Sequence, residues 1–431
     1  MLGVWLGVVG LAVILGVVYR LQTHEDALGS VYQPNGELMG GSMHCGLRVF
    51  APVGQGAFYY ERLAGKSFVY DCGTASDKEY LSREIKNAFA EGEEIEAIFL
   101  SHMHKDHYSG LFDLLKRCKV RRLYLPLLSD EQILINAGHA FADGLAARMS
   151  DSDLRRNIQL ILDPISVLRE ESPATKLFLV EPIHIYIYWD DRVASYRISN
   201  MWREGGMIGP NGGGARLVSS GDQQWLCGSV DDFDWVFVPM NFDYASRSRK
   251  LLDALKSQGL RPEDVVDAFK SNKFELLEKA SNAYREVAQN PNNHTMVVYS
   301  GPAKSGECTQ WEASSLCGGG LACRRCAPLP AGCLYLGDYP AKAKRYWSSL
   351  VEALDPYLDM VGCLQVPHHG SAGNFRKDMV DPRWVSVVSA GHGRSHHPAE
   401  KVVREYCESG CVLRIVTELE RTAATFLIRD K

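Results

Sequence analysis

The sequence has no long run of lysine or arginine, and its net charge is only -5 over 431 residues. A broad positive field of the kind that attracts nucleic acid is therefore excluded, and any contact with nucleic acid must come from a local patch. The composition, 46% hydrophobic and 23% charged, is typical of a globular protein and excludes a disordered chain. The length suits two or three domains, or one elaborated α/β domain.

The twelve cysteines are too scattered to form a disulfide framework. Most stand singly beside apolar residues, as small buried side chains do. The exception is residues 303–332, which we expect to form a Cys-rich hairpin insertion. Cys308, Cys317, Cys323 and Cys326 include one Cys-x-x-Cys pair, which predicts an additional, structural zinc ion. The other pair is more widely spaced than usual, so disulfides are the alternative if the domain is exported.

The N-terminus contains one long apolar run, residues 2–18, that ends before Arg20. Its length is at the short end of the roughly 17 to 25 residues that cross a bilayer. A cleaved signal peptide is disfavoured, because no basic segment precedes the run and no Ala-x-Ala site follows it. We therefore expect residues 1–20 to form a hydrophobic helix that anchors the protein to a membrane, and residues 21–42 to form a linker. Arg20 favours a cytoplasmic catalytic domain.

Translation from a later start is the alternative for this terminus, because the motifs described below begin only near Met43. In that case residues 1–42 are not translated, and the protein is soluble and cytoplasmic. The two interpretations differ in whether the protein has a membrane as a partner.

The densest group of candidate metal ligands follows an apolar run, Ala97–Leu100, that predicts a buried strand. His102, His104, Asp106 and His107 all lie in the loop after it. Histidines two apart in an extended loop point the same way and can hold one ion, while Asp106 and His107 can hold a second. An ordinary polar turn is the alternative, but this density after a buried strand favours a metal site.

This His-x-His-x-Asp-His motif resembles that of the metallo-β-lactamase-fold hydrolases. The resemblance implies an α/β protein with a four-layer αβ/βα sandwich, and His104 at the second position favours hydrolysis over diiron redox chemistry. Residues 43–431 are expected to form this domain, with residues 140–290 as an elaborated, partly helical insertion. In Val53–Ala57 and Phe68–Gly73 the chain is similar to the metallo-β-lactamase domain of competence-type DNA-uptake proteins.

Later motifs of the family imply the remaining ligands. His294 precedes a strand where glyoxalase-like members place a metal-binding histidine, although a structural histidine is the alternative. Asp338 ends an apolar strand in Gly-Asp, which resembles the carboxylate that bridges two metals. Asp71 is expected to support the site or to belong to a turn, and not to bind metal. The resemblance thus implies His102, His104 and His294 on the first metal, Asp106, His107 and His397 on the second, and Asp338 between them.

The segment Val366–Ser371 reads Val-Pro-His-His-Gly-Ser and is similar to a motif of the DNA-uptake nucleases. In related phosphodiesterases a histidine near this position donates a proton to the departing oxygen, a role that suits imidazole because its pKa is near neutrality. Either His368 or His369 is predicted to act in this way. Ser371 and Arg394 are expected to contact substrate phosphate.

The predicted function is a metal-dependent phosphodiesterase or nuclease in which two divalent ions activate water, with zinc expected and manganese as the alternative. Asp106 counts among the catalytic residues as well as among the ligands. An ester, thioester or lactam hydrolase on the same fold is one alternative, and a non-catalytic, membrane-tethered binding or sensor module is another. The expected partners are a phosphodiester, with nucleic acid among the candidates, and a membrane bound through residues 1–20.

Overall fold

The computed structural model describes most of the chain from Cys45 onward, namely residues 45–146, 149–183, 214–227, 234–243, 248–261, 264–265, 268, 276–277, 279–280, 294–312 and 328–430. The predicted anchor and linker, residues 1–42, lie outside these ranges. So do three of the four clustered cysteines, Cys317, Cys323 and Cys326. Among the described residues, no helix is both long enough and apolar enough to cross a membrane.

The described strands are β1 (Cys45–Phe50), β2 (Gly56–Leu63), β3 (Lys66–Thr74), β4 (Glu94–Ile95), β5 (Ala97–Phe99), β6 (Lys119–Val120), β7 (Arg122–Pro126), β8 (Lys176–Val180), β9 (Pro182–Ile183), β10 (Ala215–Val218), β11 (Trp235–Asp243), β12 (His294–Pro302), β13 (Cys308–Glu312), β14 (Leu329–Pro330), β15 (Gly332–Tyr335), β16 (Val361–Gln365), β17 (Val385–Ser389), β18 (Leu413–Val416) and β19 (Ala424–Asp430). The described helices are α1 (Lys78–Ala88), α2 (Lys105–Tyr108), α3 (Leu111–Arg117), α4 (Asp130–Ala146), α5 (Asp151–Leu162), α6 (Pro164–Glu171), α7 (Ser248–Ser257), α8 (Lys344–Leu354) and α9 (Glu400–Ser409).

Two large sheets organise these elements. The first has the strand order β10-β8-β7-β5-β3-β2-β1-β19-β13-β14, and the second has the order β18-β17-β16-β15-β12-β11-β9. The inner faces of the sheets pack on each other through aromatic and aliphatic side chains of both. Helices α1 and α3 to α6 bury apolar side chains against the outer face of the first sheet, and α8 and α9 against the second. The predicted four-layer αβ/βα sandwich is therefore confirmed.

A buried ion pair within the first sheet is hydrogen-bonded to the second sheet. Arg48 of β1 is fully buried, and its Nε donates to Glu61 Oε1 of β2 at 2.6 Å. Its Nη1 donates to Gln310 Oε1 at 2.6 Å, while Ser300 and Tyr335 of the second sheet donate their hydroxyls to Glu61 at 2.5 and 2.9 Å. Because every charged group of the pair has partners, the desolvation of both charges is offset locally.

Residues 140–290, which we expected to form an insertion, contribute strands to both sheets. Strands β8 and β11 each lie between two other strands. Helices α5 and α6 were not foreseen, although Ser150 and Asp163 provide recognisable N-caps whose side chains accept from Asp153 and Ser166 N–H. Within the insertion, helical spacing in the sequence predicts three helices, at Ser246–Lys256, Pro262–Lys270 and Phe274–Gln289. The structure contains the first of them as α7, and most of the other two lies outside the described ranges.

Candidate metal centre

Four buried strands deliver the candidate residues, and two of them, before His102 and before Asp338, were predicted from the sequence. Strand β5 belongs to the first sheet and β15, β16 and β17 to the second, and every residue of all four is buried. The loops that follow their carboxyl ends meet, so that side chains far apart in sequence come within a few ångströms. Ligand sites at the carboxyl ends of strands are the expected arrangement in α/β proteins.

One glycine is required for the loops after β5 and β15 to approach. Gly337 has φ +54°, and a Cβ at this position would lie 2.7 Å from Ser101 Cβ and 2.7 Å from Thr295 Oγ1. Any side chain here would strain the backbone and push the two loops apart. Gln365 further fixes the loop, because its Oε1 accepts from the N–H groups of Leu336 and Gly337 at 2.7 Å each.

The first group of donor atoms comes from His102, His104 and Asp338, whose ligand atoms all lie within 4.8 Å of one another. His102 Nε2 lies 3.0 Å from His104 Nδ1 and 3.5 Å from Asp338 Oδ2. Burial, assisted by the neighbouring His102 imidazole, lowers the pKa of His104 well below its ordinary value. His104 is therefore neutral, which is the form that binds a metal ion.

The second group comes from Asp106, His107 and His369, whose ligand atoms also lie within 4.8 Å of one another. His369 Nε2 lies 2.9 Å from Asp106 Oδ2, and His107 Nε2 lies 4.0 Å from the same oxygen. His369 Nδ1 lies 2.8 Å from the carbonyl oxygen of Ser389, which only accepts hydrogen bonds. Nδ1 therefore carries the proton of the neutral ring, and Nε2 presents its lone pair to the group.

Asp71 is hydrogen-bonded to Ser101 and to His107 of the second group. Its Oδ1 accepts from Ser101 N–H at 2.7 Å, and its Oδ2 accepts from Ser101 Oγ and His107 Nδ1 at 2.7 Å each. Burial opposes a charge on His107, but the carboxylates of Asp338, Asp71 and Asp106 raise its pKa well above the ordinary value. Several carboxylates around one imidazole make this a place that favours a cation.

Asp338 lies between the two groups. Its Oδ2 is 3.5 Å from His102 Nε2, and its Oδ1 is 3.1 Å from His107 Nε2. Burial favours the neutral carboxyl, yet the imidazoles of His368, His107 and His102 hold the pKa of Asp338 well below its ordinary value. A buried, ionised carboxylate that faces both groups is in the position of a bridging ligand.

The residues present fit two divalent cations. Each group offers a mixture of imidazole nitrogens and carboxylate oxygens, which are ligands of zinc and other transition metals. The buried Nε2 of His107 faces Asp338 Oδ1 at 3.1 Å, and its ring is held firmly through Nδ1. A metal ligand whose other ring nitrogen is held by a carboxylate is common in metal sites.

The turn after β16 separates the roles of His368 and His369, which the sequence left undecided. Both have left-handed backbone, with φ 50° and 53°, which is uncommon outside glycine. His369 joins the second group. The His368 side chain is 26% exposed, and its Nε2 lies 3.7 Å from Asp338 Oδ2.

Asn374 fixes the ring of His368. Its Nδ2 donates to the carbonyl oxygens of Asp338 and Tyr339 at 2.8 and 3.2 Å, so its Oδ1 is the atom that faces His368 Nδ1 at 2.9 Å. That oxygen only accepts, and therefore His368 Nδ1 carries a proton. The remaining nitrogen, Nε2, is the one directed to Asp338.

His294 and His397, both predicted as ligands, are not brought into either group. His294 is buried at the start of β12, with Nε2 3.4 Å from Asn136 Nδ2 and with Nδ1 unpartnered. Burial and the nearby His102 lower the pKa of His294 to about 3. His397 Nδ1 lies 3.3 Å from Gln55 Nε2, and the position that we assigned to His397 in the second group is occupied by His369.

The two predicted phosphate contacts lie on the loops around the site. Ser371 ends the turn of His368, and its Oγ accepts from Gly373 N–H at 3.2 Å. Arg394 is exposed on the loop after β17. Cys308 is buried at the start of β13. Because the other three clustered cysteines lie outside the described residues, the structural zinc and its disulfide alternative both stay predictions.

Sequence reasoning missed three residues of the site: Gln55, His139 and Asn374. His139 lies on α4 with its ring centroid 5.7 Å from that of His104, and burial lowers its pKa to about 4. Only the packing of α4 brings it there, and no local pattern marks it. Gln55 lies within Val53–Ala57, a segment of family resemblance, and Asn374 lies three residues after the His-His-Gly-Ser motif, so both positions carried a local signal.

The sandwich and its two carboxylate-linked groups of imidazoles define a metallo-β-lactamase type of fold with a candidate two-metal centre. Residues 51–192 match the family model described as Metallo-beta-lactamase superfamily. The matched range contains the His-x-His-x-Asp-His motif, whereas Asp338 and the residues after it lie beyond the match. A comparison with curated proteins found no match.

Two solved structures align with most of the chain at low similarity. The metallo-beta-lactamase fold protein YhfI from Bacillus subtilis is 7% identical over 90% of this chain and 100% of its own, with a TM-score of 0.35. A diphosphatase from the PhnP family is 8% identical over 87% of this chain and 88% of its own, with a TM-score of 0.29. Scores this low do not establish a shared arrangement of elements, and they say nothing about the reaction of this protein.

Proposed function

We propose that this protein is a metal-dependent hydrolase that cleaves phosphodiesters with two divalent cations. The observation that carries the proposal is the position of Asp338, whose two oxygens lie 3.5 Å from His102 Nε2 and 3.1 Å from His107 Nε2. When bound, two cations lower the pKa of a water molecule and neutralise charge on the substrate. Zinc is our first choice for these ligands, and manganese is the second.

We assign the residues of the site two roles, namely binding of the cations and donation of a proton. His102, His104 and Asp338 would hold one cation, and Asp106, His107 and His369 would hold the other. The Asp338 carboxylate faces both groups and would supply negative charge that offsets the repulsion between two dications. Two contacts keep the imidazoles in place: Ser101 Oγ lies 2.9 Å from His102 Nδ1, and Asp71 Oδ2 accepts from His107 Nδ1.

His368 is suited to assist the leaving group. Its Nδ1–H is retained by Asn374, so a second proton on Nε2 is the one it can release to a departing oxygen. Its side chain is also partly exposed, whereas His369 is buried within the second group. The partly exposed imidazoles of His368 and His397, whose ring centroids are 5.5 Å apart, favour an anionic substrate such as a phosphodiester.

The test is hydrolysis of bis(p-nitrophenyl) phosphate by protein that has been stripped with chelator and then supplied with Zn²⁺ or Mn²⁺. We expect activity to disappear with the metal, to return on its addition, and to fall on the order of 100-fold or more in Asp338→Asn. The matched control is Asp359→Asn, because the Asp359 side chain is 91% exposed and remote from the strand ends. Activity that survives chelation or Asp338→Asn contradicts the proposal.

The same panel separates the other functions. Turnover of nitrocefin or of a thioester without phosphodiester turnover would establish a hydrolase of carbon esters, thioesters or lactams. Full metal occupancy without turnover of any substrate would establish a binding or sensor module. Single- and double-stranded DNA and RNA substrates then test the nuclease activity that we propose as the finer assignment.

We also propose that residues 1–20 tether the domain to a membrane, on the strength of their apolar sequence. Fractionation of cells that express the full chain or a chain starting at Met43 tests this. Membrane association of the full chain alone is the expected result, and recovery of both chains in the soluble fraction contradicts it.

A further inference from the structure

Gln55 is held close to the metal centre by a tightly packed loop between β1 and β2. Its backbone N–H donates to Ser76 Oγ at 2.9 Å, and its carbonyl oxygen accepts from Ala75 N–H at 2.6 Å. At the next residue, Gly56, a Cβ would lie 2.2 Å from the carbonyl oxygen of Gly73, so only glycine permits this approach. The side chain of Gln55 is therefore presented from a fixed backbone.

The two ends of the Gln55 amide can be told apart by their partners. Oε1 accepts from Gly391 N–H at 3.3 Å, which directs Nε2 to His397 Nδ1, also at 3.3 Å. An amide nitrogen donates and does not accept, so His397 Nδ1 must be the acceptor. Because a neutral imidazole has only one N–H, that proton lies on His397 Nε2.

His107 and His369 have the opposite arrangement. Their Nδ1 atoms donate to Asp71 Oδ2 and to the carbonyl oxygen of Ser389, so the neutral form of each ring, which is the form that binds metal, has its lone pair on Nε2. A histidine that binds metal usually donates its other ring N–H to a carboxylate, a carbonyl or water in this way. His397 instead receives a hydrogen bond at Nδ1, and its Nε2–H has no lone pair for a cation.

The position of His397 allows its Nε2–H to donate a hydrogen bond to a substrate. Its ring centroid lies 5.5 Å from that of His368 and 5.9 Å from that of His369, and the residue is only partly buried. A donor there lies beside the second group and remains open to a substrate. It also explains why His369, and not His397, completes that group.

We infer that His397 is a substrate-binding residue whose Nε2–H donates to an anionic oxygen of the substrate, and that Gln55 is the positioning residue that sets this tautomer. The inference rests on the proposed function for the identity of the oxygen, which would belong to a phosphodiester. It does not rest on that function for the tautomer or for the number of ions bound.

Metal counting separates a donor from a ligand. We expect His397→Gln to bind as many Zn²⁺ or Mn²⁺ ions per chain as the wild type after equilibrium dialysis, and His369→Gln to bind one fewer. Circular dichroism on each variant confirms that it is folded before its ions are counted. Loss of an ion from folded His397→Gln would overturn the inference.

Gln55→Glu reverses the hydrogen bond without removing it. The carboxylate can still accept from Gly391 N–H, but it also accepts from His397 and draws the proton to Nδ1. We expect the ion count to stay the same and kcat/KM for bis(p-nitrophenyl) phosphate to fall about 10- to 100-fold, as for the loss of a hydrogen bond to a charged group. Gln55→Met, which adds no charge, is the control and is expected to show a smaller loss. If His397 were a ligand, Gln55→Glu would instead preserve or tighten metal binding and retain activity.

Long-range ¹H–¹⁵N spectra of histidine side chains read the tautomer directly, with His397 assigned by its absence in His397→Gln. The expected result is Nε2–H in the metal-loaded wild type and Nδ1–H in Gln55→Glu. An Nδ1–H tautomer in the wild type overturns the inference whatever the activity. Conversely, the expected tautomer and ion counts without any phosphodiester turnover would refute the proposed function and leave His397 as a donor to another anion.

Discussion

Asp71→Asn is the substitution that tests the support of the metal centre with the least disturbance. Asp71 has left-handed backbone, with φ 53°, and asparagine tolerates that region better than other side chains do. The size of the side chain is also unchanged. Only the acceptor pattern differs, since one carboxylate oxygen becomes an NH₂ group.

The structure indicates how much metal affinity this substitution should remove. Three donors converge on Asp71, namely Ser101 N–H, Ser101 Oγ–H and His107 Nδ1–H. The single oxygen of an asparagine cannot serve both sides, so at least one buried donor faces the new NH₂. Loss of such a partner of a metal-binding histidine costs about 10- to 100-fold in metal affinity, or roughly 1.4 to 2.8 kcal/mol.

The assay is competition for Zn²⁺ between the protein and a chelator of known affinity. We expect Asp71→Asn to lose affinity for the ion bound by His107, while Asp113→Asn on the exposed first turn of α3 binds as the wild type does. Thermal unfolding in chelator checks that both variants are folded. An affinity of folded Asp71→Asn equal to that of the wild type would show that Asp71 does not support a metal ligand.

Two further predictions concern the scaffold. Arg48→Met strands the buried carboxylate of Glu61 and should lower the free energy of unfolding in urea by about 3 to 5 kcal/mol. Arg404→Met removes only an exposed ion pair with Glu400, and we expect it to lower the free energy of unfolding by less than about 1 kcal/mol. An equal loss of stability in the two variants would contradict the expectation that the buried ion pair matters more than the exposed one. Gly337→Ala should abolish metal binding because its Cβ would meet Ser101 and Thr295. Gly410→Ala has the same sign of φ, +69°, but open space around it, and should cost about 1 to 2 kcal/mol without loss of metal.

The parts of this protein that could be predicted from sequence are those encoded locally. The strand at Ala97–Phe99 and the loop with His102 and His104 lie next to each other in the chain, so an apolar run and a histidine spacing were enough to predict both. Asp338 was predicted for the same reason, since it follows its own short buried strand. A strand end and the loop after it are adjacent in the sequence, so the change from apolar to polar residues is enough to predict them.

Which histidines bind metal and which donate a proton could not be predicted from the sequence, because these roles depend on partners that are remote in sequence. Gln55 and His397 are 342 positions apart, and His369 and Asp106 are 263 apart. Which ring nitrogen carries the proton is decided by such contacts, and no spacing along the chain reveals it. His139 was missed for the same reason, since α4 must pack before its side chain has any relation to His104.

The helices over residues 151–171 were missed for a simpler reason. Their N-caps, Ser150 and Asp163, and the proline after the second cap are local signals of helix starts, whereas hydrophobic spacing in this region favours strands. Capping residues carry as much information here as hydrophobic spacing.

A crystal structure of the protein soaked in Mn²⁺ or Zn²⁺, with anomalous scattering used to locate the ions, tests the central claim most directly. Two peaks about 3.5 to 4 Å apart are expected on either side of the Asp338 carboxylate. One should contact His102 and His104, and the other should contact Asp106, His107 and His369. A single peak, or two peaks that do not share Asp338, would contradict the two-metal centre.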